Sequence, residues 1–191
     1  MDVICRPAAV RIAIPVFETP TACAGAAAAY VLRRVAYRAG AYAPGIHEAI
    51  FDELHTPRAG AALDDVQRWF ADRVAALGDL GYRLQCRRVA EPTALLLAWV
   101  QAGCGYRGAV LATRYETLHP TRAASVQAGQ AIAHAVGVAN QGREAGGDGS
   151  LVMIDPWSRT DEQRGPIHPE LATAHREREH DALAVYWVGW S

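Results

Sequence analysis

The chain has 191 residues, of which 51% are hydrophobic and 20% are charged, and its formal net charge is −1. This length suits one domain with a sizeable core, and the composition is that of an ordinary globular protein, not a disordered one. A net charge so close to zero gives no sign of the excess of basic residues that binds nucleic acid or an anionic membrane. We therefore expect a single domain over residues 1–191.

The ends and the cysteines of the chain bear on its location. The N-terminus lacks the basic start and the apolar stretch of a signal peptide, and no apolar run approaches the ~20 residues needed to span a bilayer. We expect a cytoplasmic protein that does not bind membranes. The cysteines form no CxxC pair, which argues against a zinc ribbon or a redox motif. Three of them are predicted to be free thiols that pack in the core: Cys5, Cys86 and Cys104.

The first half of the chain is predicted to be mostly helical. After a short apolar run at 10–16, an alanine-rich stretch predicts a helix over 24–39 that Gly40 ends. Its small side chains let other elements approach closely, so we expect this helix to be buried. Apolar residues at helical spacing predict a short second helix within 46–54 and a third helix over 64–77.

The second half of the chain is predicted to form mostly strands. Alternation predicts a strand over 82–87, and Pro92 with Thr93 opens an apolar helix through about Ala102. Further strands are predicted at 110–115, 131–139, 151–154 and 182–190. The strands at 131–139 and 151–154 flank a glycine-rich turn and predict a hairpin. Helices followed by mostly antiparallel strands indicate an α+β domain.

Cys23 stands at the expected entrance of the alanine-rich helix. A thiol is a good nucleophile only as the thiolate, and the positive end of a helix dipole lowers its pKa. Thr21 is predicted to cap this helix, and Pro20 suits an extended approach to it. Without partners, Cys23 would be interpreted as a small buried side chain.

Two residues of the predicted hairpin complete a set with Cys23. His134, in the first strand, is a candidate base that accepts the thiol proton and later returns a proton to the leaving group. Asp155, which closes the second strand, is a candidate acceptor for the other ring nitrogen. Taken alone, His134 would be interpreted as a structural histidine of a sheet. Asp155, which precedes a proline, would be interpreted as part of a turn after a strand. The ordered set favours nucleophilic catalysis.

The ordered set resembles the papain-like fold, and most closely the C39-like group of bacteriocin-processing, double-glycine peptidases and their relatives. The resemblance covers roughly residues 12–158 and implies a papain-like α+β fold whose buried central helix carries Cys23. It also implies a catalytic triad of Cys23, His134 and Asp155 and a peptide or peptidyl substrate. We expect no cofactor and no metal. The motifs that carry the resemblance are Cys23-Ala24-Gly25-Ala26, the segments 95–103 and 109–112, His134-Ala135-Val136-Gly137-Val138, and Val152-Met153-Ile154-Asp155-Pro156.

One position departs from the family pattern. Papain-like enzymes usually place a glutamine about six residues before the cysteine, where its amide helps to stabilise the oxyanion. Here Phe17 holds that place and Glu18 follows it. An ionised glutamate cannot donate a hydrogen bond and repels developing negative charge. The oxyanion candidates are therefore Thr19, Thr21, a backbone N–H, or Glu18 in its protonated form.

Three functions stay open at the level of the sequence. They are a thiol-dependent hydrolase acting through an acyl-enzyme, an acyl or amine transferase (a transglutaminase-like enzyme included), and a binding module that holds a peptide or a partner protein without catalysis.

Two other segments do not have the spacing of a binding motif. His175 and His180 are five residues apart, which is wrong for two metal ligands at i and i+4. The glycines of 142–149 lack the spacing of a phosphate-binding loop.

Overall fold

The computed structural model describes residues 23–39, 49, 53–54, 61–74, 83–90, 93–114, 133–140, 151–155, 163–164 and 181–188. The helices are α1 (Cys23–Arg38), α2 (Leu63–Trp69), which continues as a π-helical segment (Phe70–Val74), and α3 (Thr93–Ala102). The strands are β1 (Leu84–Val89), β2 (Arg107–Arg114), β3 (Ala133–Asn140), β4 (Leu151–Ile154), β5 (Gln163–Arg164) and β6 (Ala182–Trp187).

The strands form one sheet in the order β1-β6-β2-β3-β4-β5, and every neighbouring pair is antiparallel. The chain is therefore a mixed α+β protein. The predicted hairpin is confirmed, because β3 pairs with β4 from Gly137↔Ile154 to Asn140↔Leu151. The last strand, β6, inserts between β1 and β2 and so joins parts of the chain that are distant in sequence.

Helix α1 packs directly on one face of the sheet and is buried along most of its length, as its alanines predict. Val31 and Val35 of α1 are fully buried against the sheet. Gly108 of β2 permits this close approach, because a Cβ atom there would lie 2.6 Å from Val31 Cγ1 and 3.0 Å from the Val138 carbonyl oxygen. A side chain at position 108 would push the helix away from the sheet.

The opposite face of the sheet is covered by α3. Alternate residues of a strand point to opposite faces, so Ala135 and Ala139 of β3 join the core under α1. Val136 and Val138 join a second core with Leu97 of α3. The sheet therefore lies between two helical layers, and β3 carries buried apolar side chains on both of its faces.

Several predicted boundaries differ from the observed ones. Helix α1 begins and ends one residue earlier than predicted, and the third predicted helix changes to π-helical geometry at Phe70. The strand predicted at 82–87 lies two residues later, at Leu84–Val89. The strand predicted at 110–115 starts earlier, because Arg107 pairs with Tyr186 of β6.

Other predicted elements fall partly or wholly outside the described residues. Residues 49, 53 and 54 are helical, and the rest of the second predicted helix lies outside, as does the apolar run at 10–16. The last strand ends at Trp187, and Val188 follows in a turn. In the described part of the chain, none of the helices has the length and apolar character needed to cross a membrane.

The substitution Gly108→Ala tests the close packing of α1. We expect a loss of about 1–3 kcal/mol in the free energy of unfolding, because the new methyl group overlaps Val31 Cγ1. Urea unfolding measures this. Combined with Val31→Ala, which removes the overlapping methyl group, the loss should be smaller than the sum of the two single losses. Strictly additive losses would show that the helix does not limit the space at position 108.

Candidate active site

Cys23 is the first residue of α1 and is half-buried. The first N–H groups of a helix have no partner within the helix, and they favour negative charge nearby. The N–H of Ala24 donates to the Cys23 sulfur, and the N–H of Ala135 of β3 donates to it as well. The thiol therefore lies between the entrance of the helix and the start of a strand.

His134 and Asp155 form a buried pair. His134 Nε2 lies 2.7 Å from Asp155 Oδ1, and the two side chains are only 2% and 0% exposed. The register of the hairpin explains this contact. Ile154 pairs with Gly137, so one further step along each strand sets Asp155 beside Val136, two residues from His134. Residues two apart on a strand share a face, so the imidazole and the carboxylate meet on a diagonal.

His134 also makes a hydrogen bond with the Cys23 thiol. Since Nε2 faces Asp155, Nδ1 is the ring nitrogen left for the sulfur. The structure thus brings together the three residues predicted from sequence, in a continuous chain from thiol to imidazole to carboxylate. Each ring nitrogen has a partner, which fixes the orientation of the imidazole.

The thiol and the imidazole shift each other's pKa in opposite directions. Burial by itself raises the pKa of Cys23, but the hydrogen bond and charge of His134 and the two backbone N–H groups outweigh it and lower this pKa below 9.0. Burial lowers the pKa of His134, but hydrogen bonds and charge from Asp155 and Cys23 raise it to about 9. The two shifts act in the same sense, because each favours the charged form of its group, the thiolate of Cys23 and the imidazolium of His134.

The other cysteines lie in different surroundings. Burial raises the pKa of Cys86 to about 12, so this thiol stays protonated and packs beside the core under α1. Cys104 lies in the turn after α3, with a positive φ of 47°. Neither of them forms a disulfide, and the same holds for Cys23. Cys5 lies outside the described residues.

The oxyanion candidates Glu18, Thr19 and Thr21 lie outside the described residues, as do His175 and His180. Within the part of the chain that the structure describes, there is no group of three or more histidine, cysteine, aspartate or glutamate side chains that could hold a metal ion. The sequence did not single out the N–H of Ala135. The direction of a strand N–H depends on which residue it pairs with, and side-chain patterns carry no signal of that.

No protein-family model matches the chain, and no curated protein or solved structure matches it either. The chemistry of the site therefore follows from its own geometry.

The pH dependence of Cys23 alkylation tests the ion pair. Iodoacetamide should modify wild-type Cys23 at a lower pH than it modifies an ordinary thiol, since the site lowers the pKa of Cys23, and the rate should change again near pH 9 as His134 loses its proton. In His134→Gln, the amide still donates to Asp155 but carries no charge, so the thiol pKa should rise. Each unit of rise lowers the thiolate fraction at acidic pH about tenfold.

Peptide mapping by mass spectrometry measures modification at each cysteine. Cys86 serves as an internal control and should remain unmodified over this pH range, because its pKa is about 12. An unchanged profile for Cys23 in His134→Gln would contradict the thiolate–imidazolium pair.

Two substitutions of Asp155 separate its charge from its hydrogen bond. Asp155→Ala removes the buried partner of the imidazolium, so the pKa of His134 should fall from about 9 and the protein should lose about 3–5 kcal/mol of stability. Asp155→Asn keeps an oxygen acceptor but not the charge, and should give a smaller loss. Ring titration by NMR and urea unfolding measure the two effects. Equal results for alanine and asparagine would show that the hydrogen bond to the ring does not stabilise the protein.

Proposed function

We propose that the protein is a papain-like cysteine hydrolase of the C39-like type, which cleaves a peptide or peptidyl substrate through an acyl-enzyme at Cys23. The hydrogen-bonded chain from Cys23 through His134 to Asp155 carries this proposal. The packing of the cysteine-bearing helix on an antiparallel sheet supports a papain-like arrangement. Cys23, Cys86 and Cys104 form no disulfide, which suits a reducing compartment such as the cytoplasm.

In the first half of the reaction, the thiolate attacks the substrate carbonyl carbon. A carbon–sulfur bond forms, and the π electrons move to oxygen to give a tetrahedral oxyanion. When this intermediate collapses, the carbon–nitrogen bond breaks and the His134 imidazolium gives its proton to the departing amine. The products are a thioester on Cys23, a free amine and a neutral imidazole, which Asp155 holds in position.

In the second half, a nucleophile attacks the thioester. Neutral His134 takes a proton from water as its oxygen bonds to the acyl carbon, and collapse of the intermediate releases the acid and restores the thiolate. An amine in place of water would give transfer by the same steps. The geometry favours an enzyme over a pure binding module, because opposite pKa shifts in a half-buried thiol and the buried imidazole bonded to it are the requirement of nucleophilic catalysis and not of peptide binding.

Trapping the acyl-enzyme tests the proposal. Wild-type protein mixed with short peptide p-nitrophenyl esters and quenched in acid should carry one acyl group on Cys23, seen by intact and peptide mass spectrometry. Cys23→Ala should lose this adduct, and its turnover should fall by at least about 10⁴-fold. Cys86→Ala removes a thiol of high pKa and is the matched control, with the adduct retained.

Two outcomes would contradict the proposed hydrolase function. One is equal turnover of esters and amides by wild-type protein and Cys23→Ala. The other is saturable peptide binding, measured by calorimetry, with no adduct on Cys23 under any condition, which is the behaviour of a binding module. Product analysis with an added amine separates hydrolysis, which gives the acid, from transfer, which gives a new amide.

A further inference from the structure

The N–H of Ala135 points away from its neighbouring strand. Ala112 of β2 donates its N–H to the Asp181 carbonyl oxygen on the β6 side, at 2.9 Å. Ala112 and Ala135 face each other across β2 and β3, so they form the kind of antiparallel pair that exchanges no hydrogen bonds. The backbone groups of Ala135 therefore point to the other side of β3.

On that side, the described pairing of β3 with β4 ends before Ala135 is reached. Among the described residues, β4 pairs with β3 only from Gly137 to Asn140. The Ala135 N–H lies beyond this paired stretch and donates to the Cys23 sulfur instead of to a strand. It is a backbone donor in a rigid position, because the Ala135 side chain is buried under α1 and the residue pairs with β2.

We propose that the main-chain N–H of Ala135 is an oxyanion donor, which passes from the Cys23 sulfur to the substrate carbonyl oxygen as the carbon–sulfur bond forms. This inference rests on the acyl-enzyme function proposed above. It assigns a donor to a chain whose sequence has Phe17 and Glu18 where the papain-like pattern has a glutamine.

The movement of charge during the reaction supports this role. In the thiolate form of the site, the negative charge lies on sulfur, and the hydrogen bond from the Ala135 N–H stabilises it. Attack on the carbonyl carbon turns the sulfur into an uncharged thioether and moves the charge to an oxygen two bonds away. A fixed donor beside the sulfur is then close to that oxygen, and donors that need no rearrangement stabilise a transition state most.

The same strand also carries the proton donor. His134 precedes Ala135, so the imidazole that protonates the leaving amine and the N–H that binds the oxyanion are held by adjacent residues of β3. Both are oriented by the pairing with β2, where Thr113↔His134 and Ala112↔Ala135 are neighbours.

Two thiol reagents distinguish an oxyanion donor from a group that only stabilises the thiolate. The thiolate displaces iodide from the sp³ carbon of iodoacetamide, so this reaction needs the thiolate but forms no oxyanion. p-Nitrophenyl acetate acylates the thiol through a tetrahedral oxyanion. The ratio of the acylation rate to the alkylation rate, taken at a pH where the thiolate is fully formed, isolates oxyanion stabilisation.

The test replaces Ala135 by lactic acid, introduced by nonsense suppression, which exchanges the N–H for an ester oxygen and keeps the methyl group. We expect the thiol pKa to rise, the plateau alkylation rate to stay within about twofold, and the acylation rate to fall about 100-fold. Lactic acid at position 139 is the matched control. Its N–H points to the same side of β3 but faces Val152 of β4, so stability should fall while the rate ratio stays at the wild-type value.

The rate ratio and the thiol pKa together decide whether the Ala135 N–H is an oxyanion donor. An unchanged rate ratio with a raised thiol pKa would mean that the N–H stabilises only the thiolate, and it would overturn the proposal. Ala135→Pro also lacks the N–H and suits an extended residue whose N–H lies beyond the described pairing with β4, so it provides the same ratio if the ester variant does not fold. Failure of wild-type Cys23 to be acylated at all would instead overturn the proposed function.

Discussion

The contact of α1 with the sheet is the constraint on which the rest of the structure depends. Apolar side chains of α1 and the absence of a side chain at Gly108 bring the helix axis close to β2 and β3. Because a helix is rigid, this contact also fixes where its first residue lies. Cys23 is held at the start of β3, within hydrogen-bond reach of a histidine more than 100 residues later in the chain.

The three polar groups of the site are stable only as a set. Burying an ionised group without a partner is unfavourable, and burial alone would leave the thiol protonated and the imidazole neutral. The hydrogen bond and charge of Asp155 raise the pKa of His134 in spite of its burial. The hydrogen bond and charge of His134 in turn lower the pKa of Cys23. Cys86 shows the other outcome, because it is buried without such partners and its pKa rises to about 12.

Local patterns in the sequence predicted the parts of the site, and long-range pairing decided their arrangement. Alanine content predicted the Cys23 helix, and alternation around a glycine-rich turn predicted the hairpin that sets His134 beside Asp155. The insertion of β6 between β1 and β2 could not be predicted, because it joins strands far apart in sequence. The direction of the Ala135 N–H depends on that insertion, since β6 engages the backbone of Ala112.

The end of β4 connects a short sequence motif to the chemistry of the site. Asp155 is followed by Pro156, which has no N–H to continue a ladder of hydrogen bonds, so Asp-Pro favours the end of the strand at Ile154. A longer β4 would pair with the first residues of β3 and engage the Ala135 N–H. The short strand leaves that backbone to the sulfur and places a carboxylate at its own end. The residue at which the described strand stops is thus also the partner of His134.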